Sequence, residues 1–259
     1  MAFDYSWLIG GPQGSGVDTA ANIFSRVGAK LGYHVFGKRE YHSNIKGLHS
    51  YFVVRLSDKK IRSNINGANI MVAYDAETLV RHGLEIIKDG AIIYDASIVN
   101  TTVDQIPTLE ASHKARLLKF FNSKNMEPNV SSILDLAKEN GVKVYPISFR
   151  DILSNIANEL NSPELSRMVR LFNVLGVSFS LGILKAPIEP LLEAIEDTFS
   201  KKPSIVDLNK KAANFSYNYA SAKFSDFNSS ISKIDKESNT LLVQGHQGSA
   251  LGKIVCGCR

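Results

Sequence analysis

The strongest local signal for ligand chemistry is a glycine-rich turn near the N-terminus. A short apolar segment, Ser6 to Ile9, is typical of a strand, and an amphipathic helix is predicted from Val17 to Leu31. Glycines let the backbone approach a phosphate closely, and a helix N-terminus offers free N–H groups with partial positive charge. The pattern predicts phosphate or cofactor contact by the turn residues Gly10, Gly11, Gly14, Ser15 and Gly16.

A purely structural interpretation of this turn stays open. Its glycines do not follow the G-x-G-x-x-G order of dinucleotide sites, and Val17 and Asp18 stand where a P-loop has Lys-Ser/Thr. A carboxylate at Asp18, in the first helical turn, would repel an anion. A tight turn that requires positive φ explains the glycines equally well.

The second candidate is a donor-rich segment from Lys38 to Ser50, which we interpret as a loop between strands at His34 to Phe36 and Tyr51 to Leu56. From Lys38 to Arg62 there are seven basic residues and two acidic ones. An anionic ligand or an acidic partner surface would suit this charge, and a solvated basic edge is the plainer alternative. The candidate ligand contacts here are Arg39, His42, Ser43 and Lys46.

The other titratable residues carry weaker signals. His42 and His49 lack Cys, Asp or Glu neighbours in a metal-ligand pattern, so polar loop roles are expected. Asp75 and Asp95 end two presumed parallel strands, the edge where open α/β sheets bind ligands, and helix capping is the expected role of Asp75. No catalytic triad, nucleophile elbow or paired-carboxylate motif is present, so we assign neither a catalytic residue nor a metal ligand.

The elements that must position these residues alternate between strand and helix, which predicts an α/β fold with a Rossmann-like, mainly parallel sheet and flanking helices. After Leu165 the pattern becomes helical, and residues 221–239 have the polar composition of a linker. The predicted elements are strands at 70–74, 91–94 and 142–147, helices from 76 through Ile87, at 131–140, 150–160 and 165–184, two helices between 188 and 219, and a helix-and-loop insertion at 111–130.

Composition narrows the class of protein. The 259 residues are 44% hydrophobic and 21% charged, an ordinary globular mixture that excludes wholesale disorder. No apolar stretch reaches the roughly 20 residues that span a membrane. The charge of +5 does not by itself argue for a nucleic-acid partner. Cys256 and Cys258 are too few for a metal or iron–sulfur site, and with no signal peptide the expected location is the cytoplasm.

Three stretches of the sequence together form a recognisable pattern. They are Leu8-Ile9-Gly10-Gly11-Pro12-Gln13-Gly14-Ser15-Gly16-Val17, residues 40–58 from Glu40-Tyr41-His42-Ser43-Asn44-Ile45-Lys46-Gly47 onward, and Asn173-Val174-Leu175-Gly176. Together they resemble the gamma domain of the 2-oxoacid:ferredoxin oxidoreductases, over about residues 5 to 200. The tail at 243–259 is similar to the start of the thiamine-diphosphate-fold alpha region that archaeal-type enzymes fuse to the gamma domain.

The resemblance implies three parts: a gamma-type domain at 1–200, a helix and polar linker at 201–240, and at 241–259 the truncated start of a second α/β domain. It implies the coenzyme A-dependent oxidative decarboxylation of 2-oxoacids to acyl-CoA, CO2 and reduced ferredoxin. Thiamine diphosphate, Mg and a [4Fe-4S] cluster would belong to the complex and not to this chain. The implied partners are a beta subunit and ferredoxin, with no nucleic acid and no membrane. Coenzyme A would pass near the glycine turn and the basic segment.

The sequence is also compatible with two other functions. A stand-alone nucleotide- or coenzyme-binding module would bind its ligand without a beta partner. A structural subunit, with the helices of residues 165–220 as an assembly face, would bind no ligand. The glycine turn also departs from the G-x-G-G-Q-G order of separate gamma subunits, because Pro12 replaces a glycine and Ser15 is interposed.

Overall fold

The computed structural model describes residues 3–41, 48–159, 171–235 and 240–258. Within these residues, six strands form one sheet in the order β2-β3-β1-β4-β5-β6. β1, β4, β5 and β6 run parallel, and β3 lies antiparallel between β1 and β2. The predicted α/β class with a mainly parallel sheet is confirmed. The strands are β1 (Asp4–Pro12), β2 (His34–Tyr41), β3 (His49–Ser57), β4 (Ala68–Ala73), β5 (Ile86–Asp95) and β6 (Lys143–Ile147).

Helices cover both faces of the sheet, and no described helix is both long and apolar enough to cross a bilayer. One layer consists of α1 (Val17–Lys30), α5 (Phe149–Glu159), α6 (Phe172–Ile183), α7 (Glu189–Phe199) and α8 (Pro203–Lys223). The opposite layer consists of α2 (Ala76–His82), α3 (Ala111–Lys124) and α4 (Val130–Glu139), and α9 (Gly245–Val255) lies in the tail.

The alternation of strand side chains divides the interior into two cores. Trp7 and Ile9 of β1 belong to the core under α1 and α6, whereas Leu8 belongs to the core under α2 and α4. This follows from the period of two along a strand. α6 is apolar on nearly every side because it packs against the sheet, α1 and α8 at once.

Two element boundaries differ from the sequence prediction. β2 continues through Tyr41, because residues 34–41 pair with β3 along their whole length, so Lys38 and Arg39 lie in a strand and not in a loop. α2 ends at His82, and Ile86 and Ile87 begin β5 instead of ending the helix. In both places pairing with a distant strand overrides the local pattern.

The predicted linker is wrong for residues 224–235. Phe224, Phe227 and Ile231 are buried in the core, because the polar residues between them face solvent while the apolar ones face the helices. The backbone N–H of Ile231 donates to Leu184 O, and the N–H of Ile234 donates to Leu31 O. This segment is therefore fixed across the α1–α6 layer.

In the tail, residues 241–243 form no strand with any described residue, and α9 begins at Gly245. A strand requires a ladder to satisfy its backbone, and residues 241–243 take part in no ladder with the described part of the chain. α9 has no buried residue.

Candidate functional site

The glycine turn lies where ligands bind in open α/β sheets. It connects β1 to α1 at the carboxyl edge, between β1 and β4, where the strand order changes direction. Gly14 and Gly16 have φ of 94° and 95°, so the backbone requires glycine at both positions. Gly16 is the N-cap of α1, and no side chain caps that helix.

The protein's own side chains fill the space that three of these glycines leave. A Cβ on Gly10 would lie 2.5 Å from Thr78 Cγ2, and one on Gly11 would lie 3.1 Å from Tyr74 Cβ. A Cβ on Gly16 would lie 1.4 Å from Asn173 Oδ1. These glycines therefore serve internal packing, whereas Gly14 is exposed and Ser15 is half-buried, with its hydroxyl oxygen buried.

The Asn173–Gly176 motif explains part of this packing. Asn173 stands in the first turn of α6 against Gly16, and one helical turn later Gly176 admits the hydroxyl of Tyr74, which hydrogen-bonds the Gly176 backbone. A Cβ on Gly176 would lie 2.7 Å from that hydroxyl. Two of the stretches that carry the family resemblance are therefore in mutual contact at the turn.

Arg39 occupies a different surface from the turn glycines. Its guanidinium lies 2.8 Å from Asp18 Oδ2, in the first turn of α1. Burial raises the pKa of Asp18 above its ordinary value, and Arg39 counteracts part of that rise. The repulsion that the sequence predicts between Asp18 and a bound anion is therefore reduced, because the positive charge of Arg39 balances the carboxylate.

The pair Asp18–Arg39 borders an open groove of about 870 Å³, the α1–β2 groove. Its walls are the outer face of α1, strand β2 and the tail segment from Leu242 to Gln247. Asn22 and Arg26 line it from α1, and Gln244 Nε2 lies 3.4 Å from Asn22 Oδ1. The remaining predicted contacts, His42, Ser43 and Lys46, lie outside the described residues.

The described basic residues between Lys38 and Arg62 do not form one patch, and Lys38 and Arg39 lie in a strand instead of the predicted loop. Lys38 points to the opposite face of the sheet from Arg39, and its ammonium lies 2.6 Å from Glu40. Arg55 donates from Nε to Asp4 at 2.7 Å and from Nη1 to Ser63 O. Basic residues that are close in the sequence therefore point to different faces of the sheet or form local ion pairs.

The strand-end aspartates cap helical turns, as predicted for Asp75. Asp75 Oδ1 accepts from the backbone N–H of Thr78 at 2.9 Å and from its hydroxyl at 2.6 Å. Asp95 Oδ1 accepts from the N–H of Ser97 at 2.9 Å. Burial raises the pKa of Asp75, and its hydrogen bonds with Thr78 oppose the rise.

Sequence reasoning missed a buried histidine pair on the α2 side of the sheet. His49 lies in β3, 2% exposed, and not in a polar loop. Its Nε2 is 3.2 Å from Nε2 of His82, whose Nδ1 is 3.0 Å from Glu85 Oε2. The three residues span 37 positions of sequence, and only the packing of α2 on β3 brings them together, so no local motif could reveal them.

The cysteines do not provide a cluster site. Cys256 and Cys258 are exposed in the tail, and two thiolates leave a [4Fe-4S] cluster short of ligands. Among the described residues, no group of three or more His, Cys, Asp or Glu side chains is placed to hold a metal ion.

The sequence profile of the family described as pyruvate ferredoxin/flavodoxin oxidoreductase matches residues 6–219. The match includes the glycine turn, β2 and β3, and the Asn173–Gly176 motif. The chain belongs to this family. The alpha subunit of 2-oxoacid:ferredoxin oxidoreductase 1 from Sulfurisphaera tokodaii is 37% identical over 254 residues, which are 98% of this chain and 39% of the relative. The chain thus spans about two fifths of the length of the curated relatives it matches.

Two solved structures share the fold. The 2-oxoglutarate:ferredoxin oxidoreductase of Magnetococcus marinus, solved with 2-oxoglutarate, coenzyme A and succinyl-CoA bound, superposes with a TM-score of 0.67 and 20% identity over 98% of this chain and 37% of its own. The gamma subunit of a keto/oxoacid ferredoxin oxidoreductase from Geobacter sulfurreducens superposes with a TM-score of 0.55 and 15% identity over 84% of this chain and 99% of its own.

Proposed function

We propose that this chain is the gamma-type region of an alpha subunit of a 2-oxoacid:ferredoxin oxidoreductase. The complex oxidatively decarboxylates a 2-oxoacid with coenzyme A, giving acyl-CoA, CO2 and reduced ferredoxin. The observation that carries the proposal is the match of 98% of this chain to 39% of an archaeal alpha subunit. Residues 1–200 form the gamma-type domain, residues 201–240 pack on it through α8 and the buried side chains of 224–235, and residues 241–259 begin the thiamine-diphosphate-fold region.

In this proposal the chain contributes assembly and coenzyme A access. Thiamine diphosphate and Mg bind in other parts of the complex, and the [4Fe-4S] cluster belongs to the beta subunit, because the two cysteines here cannot supply its ligands. The partners are that beta subunit and ferredoxin. The proposed location is the cytoplasm, where exposed thiols stay reduced.

The α1–β2 groove is the proposed path for the phosphates of coenzyme A. Arg39 borders this groove beside Asp18, and its planar guanidinium has the geometry and charge that suit phosphate oxygens. Gly14 and Ser15 lie at the N-terminal end of the same helix, and His42, Ser43 and Lys46 follow Arg39 in sequence. Gly10, Gly11 and Gly16 have the supporting role of allowing the turn to pack.

Arg39→Ala tests the coenzyme path in a complex reconstituted with the beta subunit. We expect the KM for coenzyme A to rise about tenfold, the loss of one charge-assisted contact, while the KM for the 2-oxoacid stays unchanged. Lys38→Ala is the matched control, because it removes the same charge from the adjacent residue on the opposite face of the sheet. Equal effects on both KM values, or equal effects of both variants, would contradict the assignment.

Copurification tests the assembly itself. The tagged chain is isolated from its source extract, and its partners are identified by mass spectrometry and by a visible spectrum. A beta subunit with the brown absorbance of an iron–sulfur cluster is the expected result. A colourless chain that binds coenzyme A without any partner would support a stand-alone binding module instead.

A further inference from the structure

The sequence contains two Asn-Gly dipeptides, Asn66-Gly67 and Asn140-Gly141. In such a dipeptide the backbone nitrogen of glycine can attack the side-chain amide carbon of asparagine, because glycine has no side chain that hinders the approach. The product is a cyclic imide, which water opens to a carboxylate. The two dipeptides carry the same chemistry, so any difference in their reactivity must come from the fold.

Asn66 lies on the surface, in the connection between β3 and β4. The residue is exposed, and Ile65 before it is 41% exposed. Residues 66 and 67 form a bend outside helix and strand, and no described residue accepts a hydrogen bond from the N–H of Gly67. The attacking nitrogen is therefore held by no hydrogen bond within the described part of the chain, and water reaches the asparagine amide.

Asn140 stands at the end of α4, where the backbone is fixed. It is the C-cap of that helix and is also exposed, so access to water does not distinguish it from Asn66. The N–H of Gly141 donates to Lys138 O at 2.9 Å, and Gly141 has φ of 81°, a common way for a helix to end. Attack by this nitrogen requires its hydrogen bond to break and the helix end to unwind.

The conformation of Gly67 makes the first dipeptide a fixed part of the fold. Its φ is 83°, and a Cβ at this position would lie 2.8 Å from Ile87 Cγ2. Glycine is therefore required after Asn66, where the chain enters β4. The packing that needs this glycine also leaves the preceding asparagine next to an unhindered nitrogen.

We propose that Asn66 is a site of spontaneous deamidation in the folded protein and that α4 protects Asn140. The nitrogen of Gly67 bonds to Cγ of Asn66, the bond from Cγ to the side-chain nitrogen breaks, and the proton of the Gly67 N–H leaves with the ammonia. Water then adds to either carbonyl of the imide, and one carbon–nitrogen bond breaks. Cleavage at Cγ gives aspartate, and cleavage at the main-chain carbonyl gives isoaspartate. Water is the only co-reactant.

The modification changes both the charge and the main chain just before β4. Either product adds a negative charge, and isoaspartate also inserts a carbon atom into the main chain between residues 66 and 67. Ala68, the next residue, is 2% exposed and pairs with Ile86 in the β4–β5 ladder. A longer main chain disturbs the start of this ladder, so the isoaspartyl form should unfold at a lower urea concentration than the aspartyl form.

Incubation of the full chain at neutral pH, followed by peptide mass spectrometry, tests the proposal. The mass increase of deamidation is followed over time at both dipeptides. We expect Asn66 to react about tenfold faster than Asn140, the rate equivalent of one net backbone hydrogen bond at Gly141. In urea at a concentration that unfolds the chain, the two rates should become nearly equal, because the fold no longer separates the two dipeptides.

Asn66→Gln is the test variant, since glutamine closes the corresponding larger ring far more slowly. It should abolish the rapid appearance of isoaspartate, which methyl transfer by a protein isoaspartyl methyltransferase measures. Asn140→Gln, the same substitution at the other dipeptide, is the matched control and should leave that signal unchanged.

Equal rates at the two dipeptides of the folded chain, or a faster reaction at Asn140, would overturn the proposal. A rate difference that persists in urea would also overturn it, since the flanking sequence and not the fold would then explain the difference. Either failure leaves the proposed function untouched, because the reaction involves neither coenzyme A nor the beta subunit.

Discussion

The glycine turn and the α1–β2 groove both border α1, and they differ in what fills them. At the turn, Thr78, Tyr74 and Asn173 occupy the space above the glycines. In the groove, Arg39 and Asp18 remain 38% and 41% exposed despite their ion pair. A glycine-rich sequence can thus serve packing at a sheet edge while an adjacent, less distinctive strand offers the binding surface. Substitutions at the turn should therefore change stability, and those in the groove should change affinity.

Gly16→Ala should cause the largest loss of stability, about 3 kcal/mol. The positive φ strains an alanine, and the new Cβ would overlap Asn173 Oδ1. Urea unfolding of the isolated chain measures the loss. Adding Asn173→Gly should recover the part that comes from the overlap and leave about 1 kcal/mol of backbone strain. A Gly16→Ala variant as stable as the unmodified chain would mean that the turn is not packed as described.

Gly176→Ala should cost less, about 2 kcal/mol. A Cβ here would lie 2.7 Å from the Tyr74 hydroxyl and 2.9 Å from Val72 Cγ1, but the residue is helical and alanine favours a helix. Combining it with Tyr74→Phe removes the hydroxyl and should relieve part of the loss. The measurement is again the free energy of unfolding, and strict additivity of the two substitutions would show that they do not interact.

Asp75→Asn should change the pH dependence of stability. Burial raises the pKa of Asp75 in the folded protein, so the folded state holds this proton to a higher pH than the unfolded state. Stability from this residue is therefore lost as pH rises through the range just above an ordinary carboxyl pKa. Asparagine retains the cap and removes the slope in unfolding free energy across that range.

Asp75→Ala separates the two contributions of this residue. It should flatten the same slope but also lower the free energy of unfolding by about 1 kcal/mol, because the cap on Thr78 is lost. A pH slope that persists in both variants would assign it to other groups.

Deleting residues 241–259 should have the smallest effect, a change within about 0.5 kcal/mol. α9 has no buried residue, and the side-chain contact between Gln244 of the tail and Asn22 of α1 is 3.4 Å long. Thermal unfolding of the shortened chain checks this. A clear drop in Tm would show that the tail is part of the groove and not only its cover.

The sequence sufficed for the fold class and for most helices, because their signals are local. Period and glycine stops locate α1 and α4, and they predict the alternation of strand and helix. The extension of β2 to Tyr41 could not be predicted, because polar residues at a sheet edge resemble a loop until their ladder partner is known. The same holds for Phe224 and Phe227, whose burial is hidden by polar neighbours.

The candidate site was predicted less well than the fold. The turn was correctly located, but the side chains that pack against its glycines are Thr78 of α2, Asn173 of α6 and Tyr74, which follows β4, and no spacing within one segment can indicate them. The coenzyme contacts stay predictions. The histidine pair was missed altogether, since it depends on how α2 crosses β3.

The single tryptophan connects β1 to α6. Trp7 is fully buried in β1, stacks on Phe24 at 4.3 Å, and its Nε1–H donates to Ser180 Oγ at 2.8 Å, across 173 positions of sequence. On the ribosome β1 emerges before α6, so the indole must wait for that helix before it finds this partner. Native tryptophan fluorescence should therefore report the docking of α6, a late and slow step in folding because the contact is so distant in sequence.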